Sequence, residues 1–299
     1  RNPWPVCRGC CQEVEAGVIY GSLCSGIEAA TQAWHPLGWK PAFFSEIERF
    51  PSAVLAHHYP DIPNHGDMTK FKDWPDYAID LLVGGTPCQD NSIGYSAGAG
   101  CAGDGLDGAR SGLAFSFAGS VERFEPEWFV WENVPNVLAA RHSGGFLRFA
   151  ADLAEIGYHV AWRVLDQRWF GPSDQPRPRL FVVGHRDPRC AAAVLLEPES
   201  IGRNSEAGAQ AAPVLTANGG MAFDDRTPCI LDRRGPRIAT PEEWEAAMGF
   251  PTNFTRIPYR GKLAEQCPDG PRYKALGNSM AVNVMKWIGE RIQIVEAMK

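Results

Sequence analysis

The sequence predicts an α/β fold: a mostly parallel sheet, with a second, small, loop-rich unit. Three observations carry this. Short apolar runs alternate with helical patterns from residue 18 to residue 183. The runs end in glycine, cysteine or acidic residues, the punctuation of strand ends that face a ligand. Residues 190–236 break the alternation, being rich in Ala, Gly, Pro and polar residues with weak periodicity.

The elements follow in order. Residues 18–23 read as a buried strand, and 26–34 as a helix opening through Ser25-Gly26-Ile27-Glu28. Residues 42–46 form a second strand that ends in an acid. A helix over 51–58 has Pro51 in its first turn, where the missing N–H does no harm. A strand over 79–83 runs into Gly84-Gly85-Thr86-Pro87-Cys88. Then come a helix over 113–123, a strand over 128–131 ending at Glu132-Asn133, and a helix over 146–156. That last helix places Phe146, Phe149, Ala150 and Leu153 on one face. Strands over 158–165 and 180–183 complete the sheet. Thr240 and Pro241 start a helix as cap and first residue, and 282–295 is a terminal amphipathic helix. The chain divides into an extension of unassigned role (1–17), a main unit (18–189), a small unit (190–256) and a return segment with the last helix (257–299).

Composition bounds the function. The 299 residues are 44% hydrophobic and 21% charged, which is globular. No apolar run is long enough for a membrane span, and no signal peptide is visible; the first residue is Arg1. Nine scattered cysteines suggest reduced thiols in a cytoplasmic compartment, not a disulfide framework. Cys7 and Cys10 have the spacing of half a zinc site, but no second pair follows closely, so no metal is expected. The net charge of −6 argues against nucleic acid, yet arginines cluster over 163–189 and 226–237. With Arg256, Arg260, Lys262, Arg272 and Lys274 they predict a basic face on the C-terminal half.

The turn from Gly21 to Gly26 follows a strand and opens a helix, as a nucleotide-like ligand requires, although it is not G-x-G-x-x-G. Glu46 sits about twenty residues on, where an acid takes ribose hydroxyls. Asp67 follows Gly66 in the next loop. Cys88, after Gly-Gly-Thr-Pro, is displayed at a strand end and not packed, as a nucleophilic thiol must be. Glu132 ends a neighbouring strand and can set an acid beside it. Arg177 and Arg179 are two apart in an extended segment, so both point to one side.

Five motifs, in order from about residue 18 to 290, resemble the C5-cytosine DNA methyltransferases. They are Pro87-Cys88-Gln89, Glu132-Asn133-Val134, Gln175-x-Arg177-x-Arg179, Arg237-Ile238-Ala239-Thr240-Pro241-x-Glu243 with Gly249-Phe250-Pro251, and Gly277-Asn278-Ser279. Pro213-Val214-Leu215-Thr216 resembles the family's small threonine motif. The resemblance implies a Rossmann-like sheet that uses S-adenosyl-L-methionine, with a small target-recognition domain. It implies a monomer acting on double-stranded DNA in a bacterial or phage-infected cell, for restriction–modification or DNA protection. A partner nuclease is not legible.

The resemblance also implies roles. Cys88 attacks C6 of a flipped cytosine, Glu132 bonds N3 and the exocyclic amine, and Arg179, with Arg177 beside it, holds O2. The cofactor set is Leu23, Cys24, Ser25, Gly26, Ile27, Glu46, Ile47, Asp67, Met68, Gly84, Pro87, Asn278 and Ser279. The DNA set is Gln89, Ser92, Arg110, Asn133, Gln175, Thr216 and Arg237. Two departures stand out. The turn reads Leu23-Cys24-Ser25-Gly26-Ile27-Glu28 where the family has Phe-x-Gly-x-Gly-Gly, and Asp90-Asn91-Ser92 replaces Phe-Ser. These leave open a silent DNA-binding relative, an RNA substrate or another transferred group.

Overall fold

The computed structural model describes residues 17–87, 112–139, 143–171, 173, 175–196, 229–232 and 235–299. Cys88, Gln89, Ser92, Arg110 and Thr216 lie outside the described residues, as do Cys7 and Cys10.

Six strands form one sheet: β1 (Ile19–Leu23), β2 (Lys40–Ser45), β3 (Leu81–Gly85), β4 (Trp128–Asn133), β5 (His159–Asp166) and β6 (Pro178–His185). Their order is β2-β1-β3-β4-β6-β5. β1 to β4 pair in parallel, and β6 runs antiparallel to both its neighbours. The chain leaves β1 for β2 on one side and returns to β3 on the other. That reversal opens a crevice beyond the carboxyl ends of β1 and β3.

Alternation along the strands splits the core in two. Leu81, Val83, Trp128, Val130, Phe181 and Val183 face one layer, with α1 (Ala29–Trp34), α2 (Arg49–His58), α5 (Pro188–Leu195) and α8 (Val282–Glu296). Leu82, Phe129, Trp131, Leu180 and Val182 face the other, with α3 (Leu113–Phe124) and α4 (Ser143–Glu155). Both faces are covered, which is why these strands read as near-continuous apolar runs.

Boundaries differ from the sequence reading where backbone demands intervene. The first helix starts at Ala29, not 26, because Cys24, Gly26 and Glu28 all have positive φ. β3 extends through both glycines and β4 through Glu132 and Asn133. Three elements were not anticipated: α5, a hairpin of β7 (Cys229–Asp232) and β8 (Gly235–Ile238), and α7 (Asp269–Asn278). α6 (Pro241–Met248) opens as expected, with Thr240 and Glu243 in a reciprocal capping box.

A buried network fixes α6 against α7. The Glu245 carboxylate accepts from Asn253 N (2.6 Å), Thr255 N (2.8 Å) and Thr255 Oγ1, while Arg272 donates to Thr255 Oγ1 (2.9 Å) and Glu242 (2.9 Å). Glu245 and Arg272 are both buried, and every side of the pair is hydrogen-bonded, as a buried ion pair requires.

Among the described residues, part of the expected basic set is ion-paired. Arg168, Arg186, Arg189, Arg237, Arg272 and Lys274 each pair with an acid. Among the described residues Cys24, Cys190 and Cys267 are free thiols. No described helix is long and apolar enough to cross a membrane.

Candidate active site and cofactor cleft

The strand registers bring Gly85, Glu132 and Arg179 together. Gly85 on β3 is opposite Glu132 on β4, and Glu132 is opposite Phe181 on β6. Arg179, two residues before Phe181, therefore projects on the same face as Glu132. Its Nε lies 3.2 Å from Glu132 Oε1. A Cβ on Gly85 would sit 3.0 Å from Glu132 Oε2, so glycine at this place keeps the carboxyl in position. Burial raises the Glu132 carboxyl above its ordinary value, opposed by the positive charges of Arg179 and Arg177.

On the opposite face, β4 grips Thr86 at the end of β3. Asn133 Nδ2 donates to Thr86 O (3.3 Å) and Oγ1 (3.2 Å), Trp131 Nε1 donates to Thr86 Oγ1 (3.0 Å), and Asn133 Oδ1 accepts from Val134 N (2.8 Å). Thr86 and Asn133 are buried. Thr86, two residues before the thiol in sequence, is thus held by β4.

Four expected contacts are placed differently. Asn133 is 1% exposed and bonded to Thr86, so it cannot meet DNA from this position. Gln175 is also buried, and neither polar atom of its amide has a hydrogen-bond partner. Arg177, expected to share catalysis with Arg179, instead donates to Gly277 O (2.7 Å) and Ser279 O (2.8 Å). It joins the start of β6 to the turn after α7. Arg237 forms a two-pronged bond to Glu243, at 2.7 Å on each side, and braces α6.

Most of the expected cofactor set lies at the ends of β1, β2 and β3 and in the turns that follow them. Ser25 staples β1 to β2: its N donates to Ser45 O (3.0 Å), and its Oγ accepts from Ser45 N (3.1 Å). Glu46 Oε2 accepts from Gly26 N (2.8 Å) and Oε1 from Glu48 N (2.7 Å). Burial raises the Glu46 carboxyl, and these two N–H bonds lower it. Asp67 Oδ1 accepts from Thr69 N (3.0 Å) and Oγ1 (2.8 Å), which holds its carboxyl below the usual range. Cys24 Sγ lies 3.3 Å from Met68 Sδ, and burial pushes its thiol up to about 12. That suppresses the thiolate form a nucleophile needs. Leu23, Ile27, Met68, Gly84 and Ser279 are buried and shape the turn from beneath. Pro87 is half-buried. Ile47 is 71% exposed at the rim, and exposed Asn278 lines a cleft of about 290 Å³ with Glu48, Tyr259 and Lys274.

Sequence reasoning missed the role of Glu28. It has φ 62° and ψ 61°, a conformation that costs a non-glycine residue about 1–2 kcal/mol. Its carboxylate accepts from Ser22 Oγ (2.9 Å) and Thr31 N (3.3 Å), and it caps α1. The signal was the departure itself: an acid where a small residue was expected.

The residues fit S-adenosyl-L-methionine. Gly26 has open space where a Cβ would stand, Glu46 offers an acid just after β2, Asp67 offers one at the head of the short helical turn from Met68, and Ile47 offers an apolar rim.

Comparison with solved structures agrees on the fold. The Entamoeba histolytica methyltransferase EhMeth superposes with a TM-score of 0.70 at 15% identity, over 95% of this chain and 99% of that one. The fold is thus that of a methyltransferase. The family model for C-5 cytosine-specific DNA methylase matches residues 19–201, and the chain belongs to that family. Among its relatives, the DNA N-6-adenine-methyltransferase of Escherichia phage P1 is 29% identical over 467 aligned residues; the match spans 92% of this chain and 61% of that protein's length. The Type II methyltransferase M2.BsuMI of Bacillus subtilis is 27% identical over 299, spanning 91% of this chain and 74% of that protein.

Proposed function

We propose that this chain transfers a methyl group from S-adenosyl-L-methionine to C5 of cytosine in double-stranded DNA. The observation that carries the proposal is the Glu132–Arg179 pair held against Gly85, three residues before Cys88.

The target base leaves the duplex and enters the pocket. Cys88, as thiolate, forms a bond to C6, and the ring's electrons move toward N3 and C5. Glu132, whose burial favours the protonated carboxyl, donates to N3 and accepts from the exocyclic amine. Arg179 bonds O2 and keeps Glu132 oriented. S-adenosyl-L-methionine supplies an electrophilic methyl group when bound. A water molecule then takes the C5 proton, the Cys88 thiolate leaves C6, and N3 returns its proton to Glu132, which restores the ring. Arg177 acts as a positioning residue through the turn at Gly277 and Ser279. Glu46 holds the ribose hydroxyls, Asp67 the adenine amine, Ile47 the adenine face, and Asn278 closes the cleft.

The enzyme works as a monomer in the cytoplasm of a bacterial or phage-infected cell, in restriction–modification or in protecting mobile DNA. Incubation with labelled S-adenosyl-L-methionine and unmethylated duplex DNA, followed by nucleoside mass analysis, tests the reading. 5-Methylcytosine is the expected product. N6-methyladenine, as the name of the phage P1 relative suggests, would replace it, and methylation of RNA alone would move the substrate.

A further inference from the structure

The turn over residues 24–28 contains an acid that the proposed chemistry does not use. Glu28 is 1% exposed, in the left-handed region, with both carboxylate oxygens facing donors. Its own N–H donates to Ser25 O (2.9 Å), so side chain and backbone together close the loop that opens α1. Glycine would adopt this backbone without strain. The acid therefore needs a reason to be there.

We propose that Glu28 is a positioning residue for the cofactor: clamped between Ser22 and Thr31, it fixes the course of the turn and places a negative charge beneath it. This rests on the assignment of S-adenosyl-L-methionine to the crevice. The ligand's sulfonium is cationic, so an anion under the turn favours it over the neutral thioether product.

Burial raises the Glu28 carboxyl to about 7. The charged or titratable groups that face it are Glu46 from the end of β2, Tyr20 on β1 and Tyr59 after α2. Both tyrosines are pushed upward by burial and stay neutral near pH 7. The sign follows. A carboxyl raised in the folded protein favours folding fully only below its unfolded value, and that contribution fades as pH rises toward about 7. The cationic ligand prefers the ionised form, so preference for sulfonium grows as pH rises through the same range.

Calorimetric titration with S-adenosylmethionine and S-adenosylhomocysteine, at about pH 6, 7 and 8, reads this directly. The two ligands share every ionisable group, so their affinity ratio isolates the sulfonium charge. The wild-type ratio is expected to rise about fivefold across the range, the order of one charge acting through a partly buried turn. Glu28→Gln keeps the shape and should flatten the ratio. Glu28→Gly suits the backbone yet should weaken both ligands about tenfold. A flat wild-type ratio, an undiminished slope in Glu28→Gln, or wild-type affinity in Glu28→Gly would overturn the inference. The wild-type measurement stands even if a variant fails to fold. If folded wild type binds neither ligand, the cofactor assignment itself fails.

Discussion

Asn133→Ala probes the link between β4 and the nucleophile segment. The change removes two bonds to Thr86 and one from Val134 N. Thr86 Oγ1 keeps its bond from Trp131 (3.0 Å), so the unpaired groups left behind are Thr86 O and Val134 N. Thr86 is buried, and its lost bond carries the desolvation penalty of about 1–3 kcal/mol; half-exposed Val134 recruits water and adds less. The sum is about 2–3 kcal/mol, or a fall of roughly 3–5 °C in melting temperature for a chain of this size. Freeing Thr86 also lets the thiol drift, and a displacement near 1 Å costs about 100-fold in rate. Thermal melts, single-turnover methylation and DNA affinity are measured together. DNA affinity should hold, because the side chain does not reach the surface. A melting temperature within about 1 °C of wild type with full turnover would refute the reasoning. Intact turnover with weakened DNA binding would restore the contact read from the sequence.

Gly85→Ala puts a methyl group 3.0 Å from Glu132 Oε2. Single-turnover rates should fall about 10- to 100-fold while the melting temperature changes little. Arg272→Met strands the buried Glu245 carboxylate and should destabilise by about 3–5 kcal/mol in chemical denaturation. Lys274→Ala breaks a half-exposed pair with Glu48 and should cost at most about 1 kcal/mol. The Arg237 fork and the Thr240 N–H lower the Glu243 carboxyl to about 2. Stability from this cap is full above the unfolded value near 4.3 and is lost as pH falls through about 2. Glu243→Gln should lose that dependence in melts from about pH 5 to 2, with an effect below about 1 kcal/mol because the pair is partly exposed.

Much of the sheet was legible because both its faces are covered. β1 to β4 read as apolar runs with polar ends, while which of their residues share a layer came only with the structure. The reversal of β6 was not legible, since periodicity carries no strand direction. α7 was missed because Gly270, Pro271, Gly277 and Asn278 are weak helix formers; the Arg272 network holds it in place. At the candidate site, motif order singled out Glu132 and Arg179, which the fold brings to within 3.2 Å of each other. Residue type could not separate a guanidinium facing the reaction from one gripping carbonyls, as Arg177 does. Nor could it reveal that the Asn133 amide lies inside the protein. Exposure depends on packing across four strands, which no local pattern records.

The most direct test of the central claim is trapping on duplex DNA that carries 5-fluorocytosine. Fluorine at C5 cannot leave as a proton does, so the thiolate adduct cannot be released after methyl transfer. Peptide mass analysis should find one DNA strand bound covalently through Cys88, only when S-adenosyl-L-methionine is present. Turnover of DNA with no adduct, or an adduct on another residue, would contradict the account.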